Sequence, residues 1–266
     1  MKIVRLLKKH YSIKTFSQFN NKKTKLQYIS DLHLDYPNNN NIPIIPDIKA
    51  DILAILGDIG NPFHPNYKKF LESISDSYEK ILILSGNHEY WDREHDMEQI
   101  DDKIKSITIK FGNIQYLNNN KINIGKTTII GTTLWSNIEE KSWNERPSDI
   151  SIKNITWKKY NDKHTESVRY LKDNIVKDSV ILTHHLPSFQ LIIDKYKTTR
   201  YIPYNSRYAT DLEYLMSKNI KFWLCGHSHC QIEKIIGNTF CGINTLGYTY
   251  ELNNNNVLSD AKYIEF

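Results

Sequence analysis

Five short apolar runs punctuate the chain, and each stops at residues able to bind metal. Residues 26–29 run into Ser30-Asp31-Leu32-His33, and residues 52–56 into Gly57-Asp58. Residues 81–84 run into Ser85-Gly86-Asn87-His88-Glu89, and residues 180–182 into Thr183-His184-His185. Residues 222–224 run into Cys225-Gly226-His227-Ser228-His229. Short runs of β-formers bounded by glycine or polar residues predict buried strands. The carboxyl ends of such strands are where open α/β sheets place ligands. One such ending reads as a polar turn leaving a sheet. Repetition along one chain predicts a single site, in which side chains from Asp31 to His229 converge in space.

The remaining pattern predicts helices over 65–78 and 92–106, the second with Asp92 as N-cap. Short strands are predicted at 114–117, 121–124 and 127–131. Residues 136–151 are polar, with Trp143 and Pro147, and read as an excursion from the core, a possible lid. Helices are predicted over 152–175 and 208–218. Strands at 231–236 and 239–243 flank Gly237-Asn238, a hairpin signal, and a last strand falls within 257–266. Early βαβ units followed by a hairpin-rich part predict an α/β fold of two packed mixed sheets with helices outside. Residues 25–266 read as one domain. Residues 1–24 read as an N-terminal extension to which no function is given.

Composition narrows this picture only modestly. The chain has 266 residues, enough for one large core. No apolar run approaches the roughly 18 residues of a membrane helix, and the start lacks the apolar and cleavage regions of a secretory signal. Three cysteines, an odd number, argue against a disulfide framework. Together these features predict a cytoplasmic protein without a membrane partner. Lys and Arg number 35 against 30 Asp and Glu, a net charge of +5 spread along the chain. That permits an anionic substrate and gives nucleic acid only weak support.

The strand-end residues Asp31, His33, Asp58, Asn87, His184, His227 and His229 are the candidate metal ligands. Two carboxylates, one amide and four imidazoles exceed the needs of one ion. They suit two divalent cations, with Mn, Fe or Zn favoured over Mg, whose shells are all oxygen. In this order, Asp31-x-His33, Gly57-Asp58, Gly86-Asn87-His88-Glu89, His184 and Gly226-His227-x-His229 resemble the calcineurin-like metallophosphoesterases over about residues 25–245. The resemblance implies a four-layer α/β/β/α sandwich with a binuclear metal centre. Asp31, His33 and His229 would hold one cation, and Asn87, His184 and His227 the other. Asp58 would bridge them, and His88 would act beside them as proton donor or phosphate contact. His185 reads as a hydrogen-bonded neighbour of that centre.

The implied activity is hydrolysis of a phosphomonoester or phosphodiester by direct attack of a metal-bound hydroxide. Two divalent cations against two aspartates and a hydroxide leave a small positive charge to receive a phosphate. A nuclease or cyclic-nucleotide phosphodiesterase shares that chemistry, and an inactive protein-binding scaffold shares the fold. The protein Ser/Thr phosphatase branch carries an arginine soon after its Gly-Asp pair. Here Ile59-Gly60-Asn61-Pro62-Phe63 follows, which favours a phosphorylated small molecule or nucleotide.

Further residues enter as substrate candidates. Tyr90, Trp91, Trp135 and Tyr248 lie near strand ends, where they could stack a nucleobase or simply pack. Arg207 could clamp a phosphate oxygen or form a surface ion pair. Cys225 and Cys230 flank His227 and His229, but no second Cys/His cluster at finger spacing accompanies them, so a structural zinc site is disfavoured. His10, His64, His95 and His164 belong to no motif and read as exposed or structural.

Overall fold

Alternation along the strands decides the layering. In β2 (Ile52–Leu56) every residue is buried. Ile52, Ala54 and Leu56 face one core, while Leu53 and Ile55 face another. A strand covered on both sides is the usual product of βαβ connections. The structure, a computed structural model, describes residues 23–36, 43–216, 219–251 and 261–266.

Among the described residues β2 belongs to a five-stranded sheet. Its order is β11 (Tyr263–Glu265), β1 (Lys25–Ile29), β2, β3 (Lys80–Leu84), β4 (Ile114–Tyr116). The run β1 to β4 is parallel, and β11 pairs antiparallel with β1. A six-stranded sheet has the order β5 (Asn120–Ile124), β6 (Thr127–Thr132), β7 (Ser179–Thr183), β8 (Ile220–Cys225), β10 (Thr239–Asn244), β9 (Gln231–Ile236). Strands β6, β7, β8 and β10 are parallel, with β5 and β9 antiparallel at the edges.

The sheets pack face to face through Leu26, Ala54, Leu56, Leu82 and Leu84 against Ile129, Val180, Leu182 and Leu224. The outer face of the first sheet buries Phe70 and Leu71 of α1 (Pro65–Ile74) and Ile100 and Ile104 of α2 (Met97–Thr108). The outer face of the second packs Ile130, Ile181 and Trp223 with Leu171 of α4 (Trp157–Asn174). The result is the α/β/β/α sandwich the sequence implied. Each fully buried Leu or Ile contributes about 1.5–3 kcal/mol, so the paired sheets form a stiff platform for the loops at their ends.

The expected helices are corrected at several points: α1 ends at Ile74 and not at 78, and α4 starts at Trp157 and not at 152. Helix α2 starts at Met97, capped by Asp96, not Asp92: Asp96 accepts the Gln99 N–H and Gln99 accepts the Asp96 N–H, both at 3.0 Å. Asp92 instead accepts the Glu94 and His95 N–H groups at 2.7 and 2.9 Å, bracing the preceding loop. No helix occupies the described part of 208–218. The Thr210 and Leu212 N–H groups go to the Leu186 and Pro187 carbonyls, and Ala209 bridges Leu186, leaving only a 3-10 turn at Glu213–Leu215. Positions 217 and 218 lie outside the described residues, as do 1–22 of the expected N-terminal extension and 252–260 before β11. Residues 136–151 contain the short helix α3 (Glu140–Asn144) and a 3-10 turn at Ser148–Ser151. Among the described residues no helix is long and apolar enough to cross a membrane.

Candidate metal centre

Five strands of the two sheets end side by side, and their loops carry the candidate ligands. Asp31 and His33 follow β1, Asp58 follows β2, and Asn87 and His88 follow β3; His184 follows β7, and His227 and His229 follow β8. The β1 and β2 loops stay paired beyond the sheet: the Asp31 N–H donates to the Gly57 carbonyl, and those of Leu32 and His33 to the Asp58 carbonyl. Across the sandwich the His227 N–H donates to Asp31 Oδ2 at 3.0 Å.

Aiming these side chains strains the backbone. Asp31, His33, Asp58, His227 and His229 all have positive φ, between 44° and 68°. Non-glycine residues rarely occupy that region, and strain of this kind gathers where surrounding structure enforces it for function. The neighbouring glycines are required by space. A Cβ on Gly86 would lie 2.6 Å from His184 Nε2, and one on Gly226 would lie 2.6 Å from Ser30 Oγ and 2.8 Å from Asp31 Oδ2.

The predicted ligands come together as two groups joined at Asp58. His33 Nε2 lies 3.0 Å from His229 Nε2, and His229 Nε2 lies 3.3 Å from Asp31 Oδ1. In the second group, His184 Nε2 lies 3.0 Å from Asn87 Oδ1 and 3.2 Å from His227 Nδ1. Asp58 reaches both: Oδ1 is 3.4 Å from His184 Nε2 and Oδ2 is 3.9 Å from His33 Nε2. Within the sets Asp31, His33, His229 and Asp58, His184, His227, the ligand atoms lie within 4.8 Å of one another. Imidazole nitrogens pointing at one another around buried carboxylates are what divalent first-row cations require, so the residues fit such ions. No described cysteine joins these sets; Cys225 and Cys241 are buried free thiols.

Burial and mutual charge set the protonation. Burial depresses His33 and His227 to about 3, with neighbouring imidazoles adding to the effect. Burial also opposes charge on His184, but the Asp58 carboxylate overrides it and lifts His184 to about 9. His229 is lifted to about 10, against burial, by its bonds to Asp31 and Glu251. Burial would raise Asp31, yet His229 and His184 hold it down at about 2; Asp58 is likewise held well below the usual carboxylate range by His184 and His33.

Several supports were not legible in the sequence. Asp149, buried, accepts the Asn87 amide N–H and the Trp91 indole N–H, each at 2.8 Å. A carboxylate only accepts, so Asp149 fixes which end of the Asn87 amide faces His184. Glu251 Oε2 lies 2.6 Å from His229 Nδ1. Tyr248 stacks on the His33 ring, centroids 4.2 Å apart. Glu89, also buried, accepts the N–H groups of Asp58, Ile59 and Gly86 and so ties the β2 and β3 loops together. Burial and the Asp58 charge push it up to about 8. Spacing alone signals none of these residues as supports except Glu89, which ends the Gly86-Asn87-His88-Glu89 tetrad; Tyr248 entered the sequence reading only as an aromatic that could stack a nucleobase or pack.

The other sequence candidates divide. His88 sits beside His33, edge-on to Trp91, and its N–H donates to Asp58 Oδ1 at 2.9 Å. Its ring is not on the cleft wall. His185 is buried, with Nε2 3.2 Å from the Tyr160 hydroxyl. Tyr90 and Trp135 do not reach the cleft. Tyr90 is buried with its hydroxyl on Asp101, and Trp135 packs against Tyr160 in the core, so neither ring is open to stack a substrate. Trp91, Tyr248 and Arg207 do line it. The Arg207 guanidinium, however, bonds Ser142 Oγ at 2.9 Å and the Ser142 carbonyl at 2.6 Å. His64 caps α1, His95 pairs with Asp92, and His164 is buried against the Leu134 carbonyl.

Above the ligands lies a cleft of about 480 Å³. Asp58, Asn87, His227 and His229 form its floor. Pro147, Ser148 and Asp149 close one side and a tyrosine-rich stretch closes the other.

Paired sheets with carboxylate and imidazole ligands at their strand ends define a metallophosphoesterase. The chain belongs to the calcineurin-like phosphoesterase family, whose description matches residues 25–231. It is 35% identical over 262 residues to an uncharacterised protein of Acanthamoeba polyphaga mimivirus, covering 87% of this chain and 94% of that one. Its fold is similar to the solved structure of phosphopantetheinyl hydrolase from Mycobacterium tuberculosis. The TM-score is 0.68 at 15% identity, over 92% of this chain and 96% of that one. The protein is a metal-dependent phosphoesterase acting on phosphorylated substrates.

Proposed function

We propose that the chain hydrolyses a phosphate ester of a small molecule at a centre of two divalent cations. One is held by Asp31, His33 and His229, the other by Asn87, His184 and His227, with Asp58 between them. The observation that carries this reading is the position of Asp58, within 4 Å of an imidazole from each group. Such cations supply charge for a phosphoryl oxygen and lower the pKa of a bound water to about 7. The nitrogen-rich donor set favours Mn, Fe or Zn over Mg.

The chain's own groups do the rest. Asp58, His33 and His184 would hold the cations in place and so set where a phosphoryl oxygen can bind. His88, joined to His33 by its ring and to Asp58 by its backbone N–H, is the group we assign to proton donation, which requires its ring, off the cleft wall in this structure, to turn toward the leaving oxygen. No side-chain nucleophile is required, and the Cys230 thiol, next to His229 in the chain, is pushed up by burial to about 11, far from a reactive thiolate. Inversion at phosphorus is therefore expected. A strand of nucleic acid is disfavoured as substrate because Arg207, the cleft's cation among the described lining residues, is engaged by Ser142. The segment 136–151 would act as a lid, bringing Asp149 onto Asn87 when closed.

Assays with chromogenic mono- and diesters, each with Mn, Fe, Zn and Mg, test this reading. Asp58→Asn is expected to abolish turnover, and His88→Ala to lower kcat by about 10²–10⁴ with little change in KM. No turnover with any metal would favour the inactive scaffold instead.

A further inference from the structure

Beyond the ligands the cleft has a second lobe, built from residues 192–208. Ile192, Ile193, Tyr196, Tyr201, Tyr204 and Arg207 form its wall. Apart from a 3-10 turn at Asp194–Tyr196 and another at Ile202–Arg207, this stretch has no regular structure, and its tyrosines line the cavity. Tyr196 and Tyr201 meet edge to face, centroids 5.2 Å apart. Each wall tyrosine carries a cation over its ring: Lys195 Nζ lies 5.2 Å from the Tyr196 centroid, Arg200 Cζ 5.3 Å from that of Tyr201, and Arg207 Cζ 4.8 Å from that of Tyr204. A cation over one face pins a ring, the edge-to-face contact holds Tyr196 and Tyr201 against each other, and a flat partner would take a ring face that these contacts leave open.

What the lobe lacks is as selective as what it holds. Among the described lining residues Arg207 is the cation, and Ser142 already takes its guanidinium. Asp149 and Glu251 are carboxylates of the lining, while Lys195 and Arg200 lie over the Tyr196 and Tyr201 rings without being among the lining residues. With Arg207 engaged, the described lining residues offer a second phosphate or a carboxylate on the substrate little to bind. Tyrosine rings in such a lining favour a flat, uncharged ester group. The volume of about 480 Å³ suits a molecule of one nucleotide's size.

We propose that this lobe is a nucleobase subsite, so that the substrate is a nucleoside phosphate with its base against Tyr201 and Tyr204 and its phosphate over Asp58. The assignment rests on the phosphoesterase reading above for the phosphate end only.

Adenosine monophosphate and ribose 5-phosphate differ only in the base and make the cleanest pair. The KM for the nucleotide is expected to be about 5- to 100-fold lower, the range that stacking one base supplies. The ratio is expected to fall toward one in Tyr201→Ala and Tyr204→Ala and to persist in Tyr201→Phe and Tyr204→Phe. Equal KM values in the wild type would overturn the subsite while leaving the phosphoesterase intact. A preference for tetrathymidylate over the mononucleotide would also overturn it, turning the lobe into a strand path. Saturation-transfer NMR with adenosine alone needs no turnover. Contact of its base protons with the wild type but not with Tyr201→Ala supports the subsite even if no ester is hydrolysed, and absence of contact with the wild type rejects it.

Discussion

At the residue scale the centre depends on groups that are not themselves ligands. Asn87 offers an oxygen and an NH2 of nearly equal shape, and only the oxygen can hold a cation. Asp149 resolves the choice by accepting the NH2 at 2.8 Å. In Asp149→Asn the partner offers donor and acceptor alike, and the preference is lost. Cation affinity is expected to fall about 10- to 100-fold, as for other outer partners of metal ligands. Calorimetric titration of the metal-free protein with Zn or Mn measures this; unchanged affinity would show that Asn87 is oriented without Asp149. The seven candidate ligands stood out in the sequence because each lies just past one of five apolar runs. Asp149 and Glu251 did not, because nothing in a polar loop's sequence says which carboxylate folds back onto Asn87 or His229.

At the scale of elements, strand, glycine and ligand form one unit. The strands were readable to within about a residue because β-formers in an unbroken run have one outcome between two sheets. Helix 208–218 was misread because residues with helical spacing gave their N–H groups to the Leu186–Pro187 loop instead, a tertiary preference that local pattern does not record. The glycines carry a sharper consequence. Gly86 leaves room where Asp58 and His184 approach, and a methyl group there would sit 2.6 Å from His184 Nε2. Gly86→Ala must therefore displace the group between the two ligand sets. Expected are loss of at least tenfold in metal affinity and of most turnover, with the circular dichroism spectrum of the folded protein retained. A variant with wild-type affinity would mean that the β3 loop relaxes freely, against the bonds by which Glu89 holds Gly86 and the β2 loop's Asp58 and Ile59.

At the scale of the whole molecule, the sandwich brings together charges that the unfolded chain keeps apart, and this couples metal uptake to protons. Tyr248 and Glu251 reach back over His33 and His229 from beyond residue 231, where the family match ends, so the centre's acid–base behaviour belongs to the complete sandwich. Without cations, His184 is raised to about 9 and His229 to about 10, so both hold protons at pH 7. His33 and His227, lowered to about 3, hold none. A cation needs the lone pair, so loading at pH 7 is expected to release about two protons per chain. Raising the pH removes those protons beforehand, and affinity is expected to climb until about pH 9–10 and then level off. The stability of the metal-free protein moves oppositely. A raised histidine pKa contributes stability that is complete below the unfolded value near 6.5 and is lost as pH rises through the folded value. The gap in Tm between loaded and metal-free protein is thus expected to widen from pH 6.5 to 9. Calorimetry in two buffers of different ionisation enthalpy counts the protons, and thermal melts across that range measure the gap. No proton release, together with a constant gap, would mean that His184 and His229 are already neutral at pH 7, and that Asp58 and Glu251 do not charge them as their distances require.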